Sequence, residues 1–217
     1  MSKLKHFSYR LKSNKRKFKE IYNGNGFTGA AYPSSGIGSS LKQTEQLRQK
    51  LPLLFTKYKI KTIVDAPCGD FSWMQCIDLS CLEYLGVDIV DKVIENNENK
   101  YDKNNIRFSV LDIIKQAPPK ADLILCRDCL VHLSNSDALK ALSNFKNSNS
   151  KYLLATTFIN CNKNIDLVSG RGWRPLNMEV PPFNLPRPLT IINEHCTEAE
   201  GKFADKSLGL WLLKDLP

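Results

Sequence analysis

One short segment constrains the fold of this chain more than any other: Ile63–Asp70, which reads Ile-Val-Asp-Ala-Pro-Cys-Gly-Asp. An apolar run ends there in the acid Asp65 and then breaks into a turn that contains Gly69. A second apolar run ends 23 residues later in another acid, Asp88. This spacing predicts a strand, a ligand-binding loop, a crossover and a second strand whose acid binds ribose hydroxyls. It therefore indicates a nucleoside-binding βαβ unit.

Further apolar segments extend the predicted sheet beyond these two strands. They are Ile106–Asp112, Ala121–Arg127, Lys151–Phe158, Leu189–His195 and Ser207–Leu213. Helices are predicted between them at Lys92–Lys100 and Ala138–Phe145, and a short one within Asp70–Leu79. This alternation is typical of an α/β domain, in which functional side chains gather at the carboxyl ends of the strands.

The loop after the first strand does not suit a dinucleotide. A pyrophosphate site normally reads G-x-G-x-x-G, so that bare backbone at a helix N-terminus contacts the phosphates. This loop instead contains Pro67, a single glycine at Gly69 and an acid at Asp70. Because the charge of Asp70 would repel a pyrophosphate, the loop favours a nucleoside that carries a cationic group, such as an ammonium or a sulfonium.

These motifs resemble those of the class I S-adenosylmethionine-dependent methyltransferases, whose first motif is acid-x-Gly-x-Gly, with Pro67 here in place of the first glycine. The resemblance runs from about Ile60 to the C-terminus. It implies an α/β fold, a Rossmann-like seven-stranded methyltransferase sheet of order 3-2-1-4-5-7-6 with helices on both faces. The last two predicted strands match the antiparallel sixth and seventh strands of that class. It also implies S-adenosylmethionine as the cofactor.

A cofactor site follows from the motifs and from the resemblance together. Its predicted members are Asp65, Ala66, Pro67, Gly69, Asp70 and Trp73 around the loop, Asp88 and Ile89 at the ribose, Asp112 and Ile113 at the adenine, Cys126 after the fourth strand, and Ser39 and Gln43 in an N-terminal lid. Two of these residues have alternative roles. Trp73 suits a core position better than a cofactor contact, and Asp112 could cap the segment that follows it.

The predicted catalytic residues Arg127, Asp128 and His132 follow the fourth strand. Methyl transfer to oxygen needs an aligned hydroxyl and a base, and histidine titrates near neutral pH. One helical turn over residues 128–132 would place Asp128 and His132 on one face. The alternative for His132 is a structural, hydrogen-bonded histidine.

No metal site is predicted. The pair Cys126-x-x-Cys129 lacks the second pair that a structural zinc site needs. A magnesium ion bound by Asp128 stays open at this point.

A long segment rich in Gly, Pro and Arg, Asn160–Arg187, follows the fifth strand. Trp173 could stack on a sugar or base, while Arg171 and Arg174 could bind hydroxyl or phosphate oxygens. These three residues form the predicted acceptor site. The alternative is a proline-stiffened cover over the sheet.

Three regions are predicted along the chain: a basic N-terminal extension (1–22), a Gly/Ser-rich loop with a lid helix (23–58) and the cofactor-binding domain (59–217). Residues 1–19 hold eight of the 31 basic residues and no acid, which leaves 23 basic against 22 acidic residues elsewhere. The extension could recruit RNA, an anionic glycan or a membrane surface, or it could be merely solvated. In the lid, Ser39 or Ser40 would cap a helix that packs through Leu41, Leu47, Leu51 and Leu54.

The stretches DAPCGDFSWM, CRDCLVHLS and SLGLW resemble a narrower group of small methyltransferases associated with polysaccharide-modifying enzymes. This resemblance implies O-methylation of a sugar hydroxyl in a glycan, with an RNA methyltransferase as the alternative. Seven cysteines, an odd number, favour a reduced, cytoplasmic chain. The sequence contains no apolar run of about 18 residues, so no transmembrane helix is predicted. The basic N-terminus lacks the apolar segment of a secretory signal.

Overall fold

A single seven-stranded sheet forms the centre of the protein. The structure is a computed structural model that describes Tyr9, residues 12–24 and residues 34–217. The strands are β1 (Thr62–Asp65), β2 (Glu83–Asp88), β3 (Ile106–Val110), β4 (Leu123–Cys126), β5 (Tyr152–Phe158), β6 (Thr190–Asn193) and β7 (Lys206–Leu212). Their order is β3-β2-β1-β4-β5-β7-β6, so the predicted topology is confirmed. β7 runs antiparallel to β5 and to β6, and the remaining pairs are parallel.

Helices cover both faces of the sheet, also as predicted. They are α1 (Asn14–Asn23), α2 (Glu45–Lys57), α3 (Asp91–Tyr101) and α4 (Asn135–Asn147). α2 and α3 contribute apolar side chains to the core on one face, and α4 contributes to the core on the other. The hydroxyl of Ser134 caps α4 by accepting a hydrogen bond from the backbone N–H of Asp137 at 3.1 Å.

The lid helix α2 begins later than the sequence predicts. Residues 40–44 form turns, and the helix starts at Glu45. Leu41 is therefore exposed, whereas Leu47, Leu51 and Leu54 pack into the core as expected. The prediction was wrong at its start because Ser40 stabilises a turn instead: its Oγ accepts from the N–H of Gln43, and its carbonyl accepts from the N–H of Thr44.

The long segment after β5 is mainly a cover over the sheet. Leu176, Met178, Phe183 and Leu185 are buried in the core on the α4 face. Burial of these four side chains contributes several kcal/mol to the free energy of unfolding. This explains how a segment without regular secondary structure keeps a fixed position.

The described part of the basic extension is docked on the domain. The hydroxyl of Tyr9 donates to the carbonyl of Gly170 at 2.7 Å, and the Asn14 amide donates to the Asp137 carboxylate at 3.0 Å. Lys17 is buried in this interface. Residues 1–8 and 10–11 of the extension and 25–33 of the Gly/Ser loop lie outside the described residues. Within the described part, no helix has the length and apolar character needed to cross a membrane.

Candidate active site

A cavity opens at the carboxyl ends of β1, β2 and β4, and we call it the first cavity. The predicted cofactor residues that line it are Ser39, Asp65, Pro67, Gly69, Trp73, Asp88, Ile89, Asp112 and Ile113. All three predicted catalytic residues, Arg127, Asp128 and His132, line it too. Parallel strands place their carboxyl ends at one edge of the sheet, and this brings together residues that are far apart in sequence.

Asp88 is a buried carboxylate at the end of β2 that faces this cavity. Burial raises its pKa to about 6, although backbone N–H groups of Val90, Gly69 and Ile89 oppose the shift. The N–H of Val90 donates to Oδ1 at 2.9 Å. A buried carboxylate is stabilised by further donors, and a ribose diol would supply two.

Asp65 is the second buried acid of the cavity. The hydroxyl of Tyr84 donates to its Oδ2 at 2.6 Å. Burial raises the pKa of Asp65 to about 7, and the hydrogen bond from Tyr84 and the charge of Arg127 only partly oppose this rise. Asp65 therefore gains stability as an anion if a cationic ligand group lies beside it.

Gly69 allows the lid to approach the loop closely. Its φ is +54°, and a Cβ at this position would lie 2.3 Å from Oγ of Ser35. Asp70 does not line the cavity. Its carboxylate instead accepts hydrogen bonds from the hydroxyl of Ser34 and the N–H of Ser35, at 3.0 and 3.1 Å. The prediction that Asp70 faces a cationic ligand is thus replaced by a role in fastening the lid.

The remaining predicted cofactor residues have mixed positions. Ala66, Cys126 and Gln43 lie outside the cavity lining. The Gln43 amide donates to the Thr197 hydroxyl at 2.9 Å and so joins the lid to the β6–β7 connection. Asp112 lines the cavity and also accepts a hydrogen bond from the N–H of Ile114 at 3.1 Å, which agrees with the capping role given as its alternative.

Several lining residues were not predicted from the sequence. Phe18 and Tyr22 reach the first cavity from α1, and Ser35 from the lid. The hydroxyls of Tyr22 and Ser35 lie 3.5 Å apart. The (i, i+4) spacing of Phe18 and Tyr22 within the basic extension was the available signal. The extension thus forms part of the site.

Arg127 lies in a buried ion-pair network rather than in an acceptor site. Its guanidinium binds Glu194 at 2.7 and 3.2 Å and donates to the carbonyl of Gly38 at 2.8 Å. Lys206 binds Asp128 at 2.6 Å and lies 3.6 Å from Glu194. We call these four charged residues, Arg127, Asp128, Glu194 and Lys206, the ion-pair network. The guanidinium of Arg127 also lies 5.4 Å from the centre of the Trp73 ring, so the predicted catalytic role of Arg127 becomes a positioning role.

Asp128 has a left-handed backbone conformation, with a φ of +52°. Its N–H donates to the hydroxyl of Thr156 at 2.8 Å, which holds this conformation. Burial alone would raise the pKa of Asp128, but Lys206 and Arg127 hold it well below its usual value. The carboxylate is therefore ionised across the physiological pH range. Its Oδ2 is paired with an ammonium, and the described residues contain no cluster of three or more potential metal ligands.

His132 ends a single turn of 3-10 helix, Leu130–His132. Asp128 precedes that turn, so the predicted helical turn over 128–132 is wrong, although both side chains line the same cavity. Nδ1 of His132 lies 2.8 Å from the carbonyl oxygen of Gly172. Because a carbonyl can only accept, Nδ1 carries the proton and Nε2 is the basic nitrogen. Burial lowers the pKa of His132 below its usual value.

A second cavity adjoins the first and shares Ser35, Asp128 and His132 with it. Its other polar wall residues include Glu198 and Lys206. Its aromatic wall residues are Phe158, Trp173 and Phe203. The two cavities therefore meet at the carboxylate of Asp128 and the imidazole of His132.

The structure separates the three residues predicted to bind an acceptor. Trp173 lines the second cavity and is 44% exposed. Arg174 is buried and donates to the carbonyls of Leu130 and Val131 at 2.9 and 2.8 Å. Its predicted acceptor role is wrong, since its guanidinium is used to hold the turn that carries His132. The guanidinium of Arg171 lies 5.2 Å from the centre of the Tyr9 ring, outside the cavity lining.

The sheet order, the reversed strand β7 and the cavity at the carboxyl ends of β1, β2 and β4 define the Rossmann-like fold of the class I methyltransferases. No protein-family model and no curated protein matches the sequence.

Solved structures agree with this fold. The N-methyltransferase NodS from Bradyrhizobium japonicum WM9, in complex with S-adenosyl-L-homocysteine, is similar with a TM-score of 0.64 and 11% identity over 92% of this chain and 98% of that chain. The magnesium protoporphyrin IX methyltransferase from Synechocystis PCC 6803, with bound S-adenosylmethionine, has a TM-score of 0.52 and 16% identity over 72% and 81%. An S-adenosylmethionine-dependent methyltransferase from Clostridium acetobutylicum ATCC 824 has a TM-score of 0.56 and 13% identity over 76% and 90%.

A first prediction concerns Asp88. Asp88→Asn should weaken binding of S-adenosylhomocysteine by about 10- to 100-fold, because charge-assisted hydrogen bonds contribute about 1.5–3 kcal/mol. In the unaltered protein, affinity should also fall as the pH drops through about 6, where Asp88 becomes protonated. Calorimetric titration at several pH values measures both effects. The control is Asp91→Asn, an exposed acid outside the cavity; equal losses in both variants would contradict the assignment.

A second prediction concerns the ion-pair network. Glu194→Gln leaves Arg127 and Lys206 with one carboxylate in a buried site, so it should lower the free energy of unfolding by about 3–5 kcal/mol. Urea denaturation followed by circular dichroism measures this change. Glu95→Gln, which breaks the exposed pair with Lys92, should cost less than about 1 kcal/mol. Similar costs for the two variants would show that the network is not a buried, coupled unit.

Proposed function

We propose that this protein is an S-adenosylmethionine-dependent methyltransferase that methylates a sugar hydroxyl of a glycan. The observation that carries this proposal is the junction of the two cavities at Asp128 and His132. A nucleoside cofactor in the first cavity and an acceptor in the second would meet beside a base. Holding the two reactants in this way supplies proximity and orientation.

The first cavity fits the cofactor. Asp88 would bind the ribose hydroxyls, and Ile89, Asp112 and Ile113 would surround the adenine. Asp65 would bring negative charge close to the cationic part of the ligand. When bound, S-adenosylmethionine supplies an electrophilic methyl group.

His132 is the proposed base. Its Nε2 would take the proton of the acceptor hydroxyl as the oxygen bonds to the methyl group. The carbonyl of Gly172 fixes the imidazole through Nδ1, and the charge of Asp128 favours the imidazolium that forms. Asp128 is therefore proposed as a positioning and electrostatic residue rather than as the base, because its own pKa is held low.

The second cavity supports a glycan acceptor. Aromatic rings stack on the apolar faces of sugars, and carboxylates accept hydrogen bonds from their hydroxyls. Trp173 and Glu198 supply these two chemistries on the cavity wall. The narrower resemblance in the sequence points the same way. The structural neighbours carry names with different acceptors, so the fold by itself leaves the acceptor open.

An RNA acceptor recruited by the basic extension is the second candidate. Three cations in the described part of the extension favour the glycan instead, because they form ion pairs within the protein. Lys12 and Arg16 pair with Glu20, and Lys15 pairs with Asp91.

The seven free cysteines fit the cytoplasmic location expected from the sequence.

The proposal is tested by a transfer assay with methyl-labelled S-adenosylmethionine against glycans, RNA and protein. We expect label in a glycan, in a base-stable ether linkage, and loss of transfer in the Asp88→Asn variant. Label in RNA, abolished by deletion of residues 1–8, which removes Lys3 and Lys5 but keeps the cavity-lining Phe18, would replace the glycan with the second candidate. Absence of S-adenosylhomocysteine binding would reject the methyltransferase assignment itself.

A third prediction concerns His132. At saturating cofactor, turnover should rise with pH to a plateau, with an apparent pKa below the ordinary value of 6.5 because burial favours the neutral imidazole. His132→Gln should lose about 10²–10⁴ in turnover with unchanged affinity for S-adenosylhomocysteine. Asp128→Asn should shift the profile to lower pH, since the charge of Asp128 raises the pKa of His132. Full activity of His132→Gln would leave alignment, without a base, as the source of catalysis.

A further inference from the structure

We infer that the second cavity accepts an uncharged sugar ring and rejects anionic acceptors, with Trp173 as the stacking surface and Glu198 as the residue that sets the charge selectivity. This inference rests on the proposed function and specifies its substrate class.

Trp173 is a fixed surface although it is half-exposed. Its ring stacks on Phe158 with centroids 6.1 Å apart and an interplanar angle of 27°. The ring of Phe203 meets it at 72° with a centroid distance of 4.7 Å. The preceding residue, Gly172, accepts the hydrogen bond from Nδ1 of His132. A ring stacked on Trp173 would therefore lie close to the proposed base, on a surface that needs no ordering when it binds.

The charged side chains that line this cavity are, among the described residues, Asp128, Glu198 and Lys206. The ammonium of Lys206 is 6% exposed and is bound to Asp128 at 2.6 Å. Outside this lining, the guanidinium of Arg127 pairs with the carboxylate of Glu194 at 2.7 Å, so their charges cancel. His132 is neutral at pH 7 because burial lowers its pKa. The wall therefore carries a net negative charge, located on the carboxylate of Glu198.

The two arginines that could have neutralised an anionic acceptor are placed elsewhere. Arg174 is buried against backbone carbonyls, and Arg171 lies over the ring of Tyr9. A phosphate, sulfate or uronate in the second cavity would thus meet Glu198. Among the described residues, the cation of the lining is Lys206, which is already bound to Asp128, so the desolvation of an anionic group would not be repaid. A neutral ring loses little on desolvation and can donate its hydroxyls to Glu198. RNA and acidic glycans are accordingly the rejected classes.

Binding can be measured without turnover by titrating the protein, saturated with S-adenosylhomocysteine, with oligosaccharides. Trp73 and Trp211 are buried, so ligand-dependent fluorescence changes report mainly on Trp173. We expect neutral hexose oligomers to quench this signal, with uronic acid oligomers and single-stranded RNA at least about tenfold weaker. Trp173→Phe should abolish the signal, and Trp173→Ala should raise the acceptor KM by about tenfold or more with turnover retained.

Charge reversal tests the role of Glu198 directly. Glu198→Lys should strengthen binding of uronic acid oligomers relative to neutral ones by about tenfold or more. Glu200→Lys makes the same charge change in the same connection, outside the cavity lining, and should leave this ratio unchanged. Glu198→Gln, which keeps the size of the side chain, should shift the ratio by a smaller factor in the same direction. Retained affinity for S-adenosylhomocysteine shows that each variant is folded.

The inference would be overturned by tighter binding of an anionic oligomer or RNA by the unaltered protein, by failure of every neutral oligomer to change the fluorescence, or by equal ratios in Glu198→Lys and Glu200→Lys. Tighter binding of a glucosamine oligomer than of its N-acetylated form would also overturn it, since an ammonium would then be the recognised group. The proposed function fails separately, when S-adenosylhomocysteine itself does not bind.

Discussion

The ion-pair network of Arg127, Asp128, Glu194 and Lys206 is the interaction on which the rest of the site depends. It links the end of β4 to the end of β6 and the start of β7, and through the carbonyl of Gly38 it holds the lid. Charges buried in this way are stable only as a satisfied set, because each ion loses its hydration. The antiparallel strand β7 makes the set possible, since its first residue, Lys206, lies opposite the last residue of β5.

The ion-pair network and its surroundings also explain why Asp128 and His132 differ in charge. Asp128 stays ionised because two cations surround it, while His132 stays neutral because burial lowers its pKa. Gly38 allows the lid to close over this arrangement, because a Cβ there would lie 3.0 Å from Oδ2 of Asp128. Arg174, bound to the carbonyls of Leu130 and Val131, holds the turn that ends in His132. Glu194 and Arg174, which lie outside both cavity linings, therefore hold residues that line them.

The sequence predicts the sheet well because each strand is a short apolar run bounded by turn residues, and buried parallel strands leave this signature. It also predicts Asp88 and the loop around Gly69, where strand, turn and acid follow one another within a single βαβ unit. It fails where the outcome depends on partners from distant segments. Arg174 resembles a ligand-binding residue in sequence, and only the fold places backbone carbonyls around its guanidinium.

The same limit applies to Glu194 and Lys206, whose importance arises from the register of β6 against β7 and from their contact with β4. The left-handed conformation of Asp128 could not be foreseen either, because it is held by Thr156 of another strand. Phe18 and Tyr22 were hidden by the basic composition around them. Their contribution to the first cavity shows that the N-terminal segment belongs to the site.

The central claim is that a nucleoside cavity and an acceptor cavity meet at Asp128 and His132. A crystal structure of the protein with S-adenosylhomocysteine tests it most directly. The account predicts the ribose hydroxyls within hydrogen-bonding distance of Asp88, the adenine beside Asp112, and the sulfur facing the opening shared with the second cavity. A ligand bound elsewhere, or a sulfur that points away from His132, would contradict it.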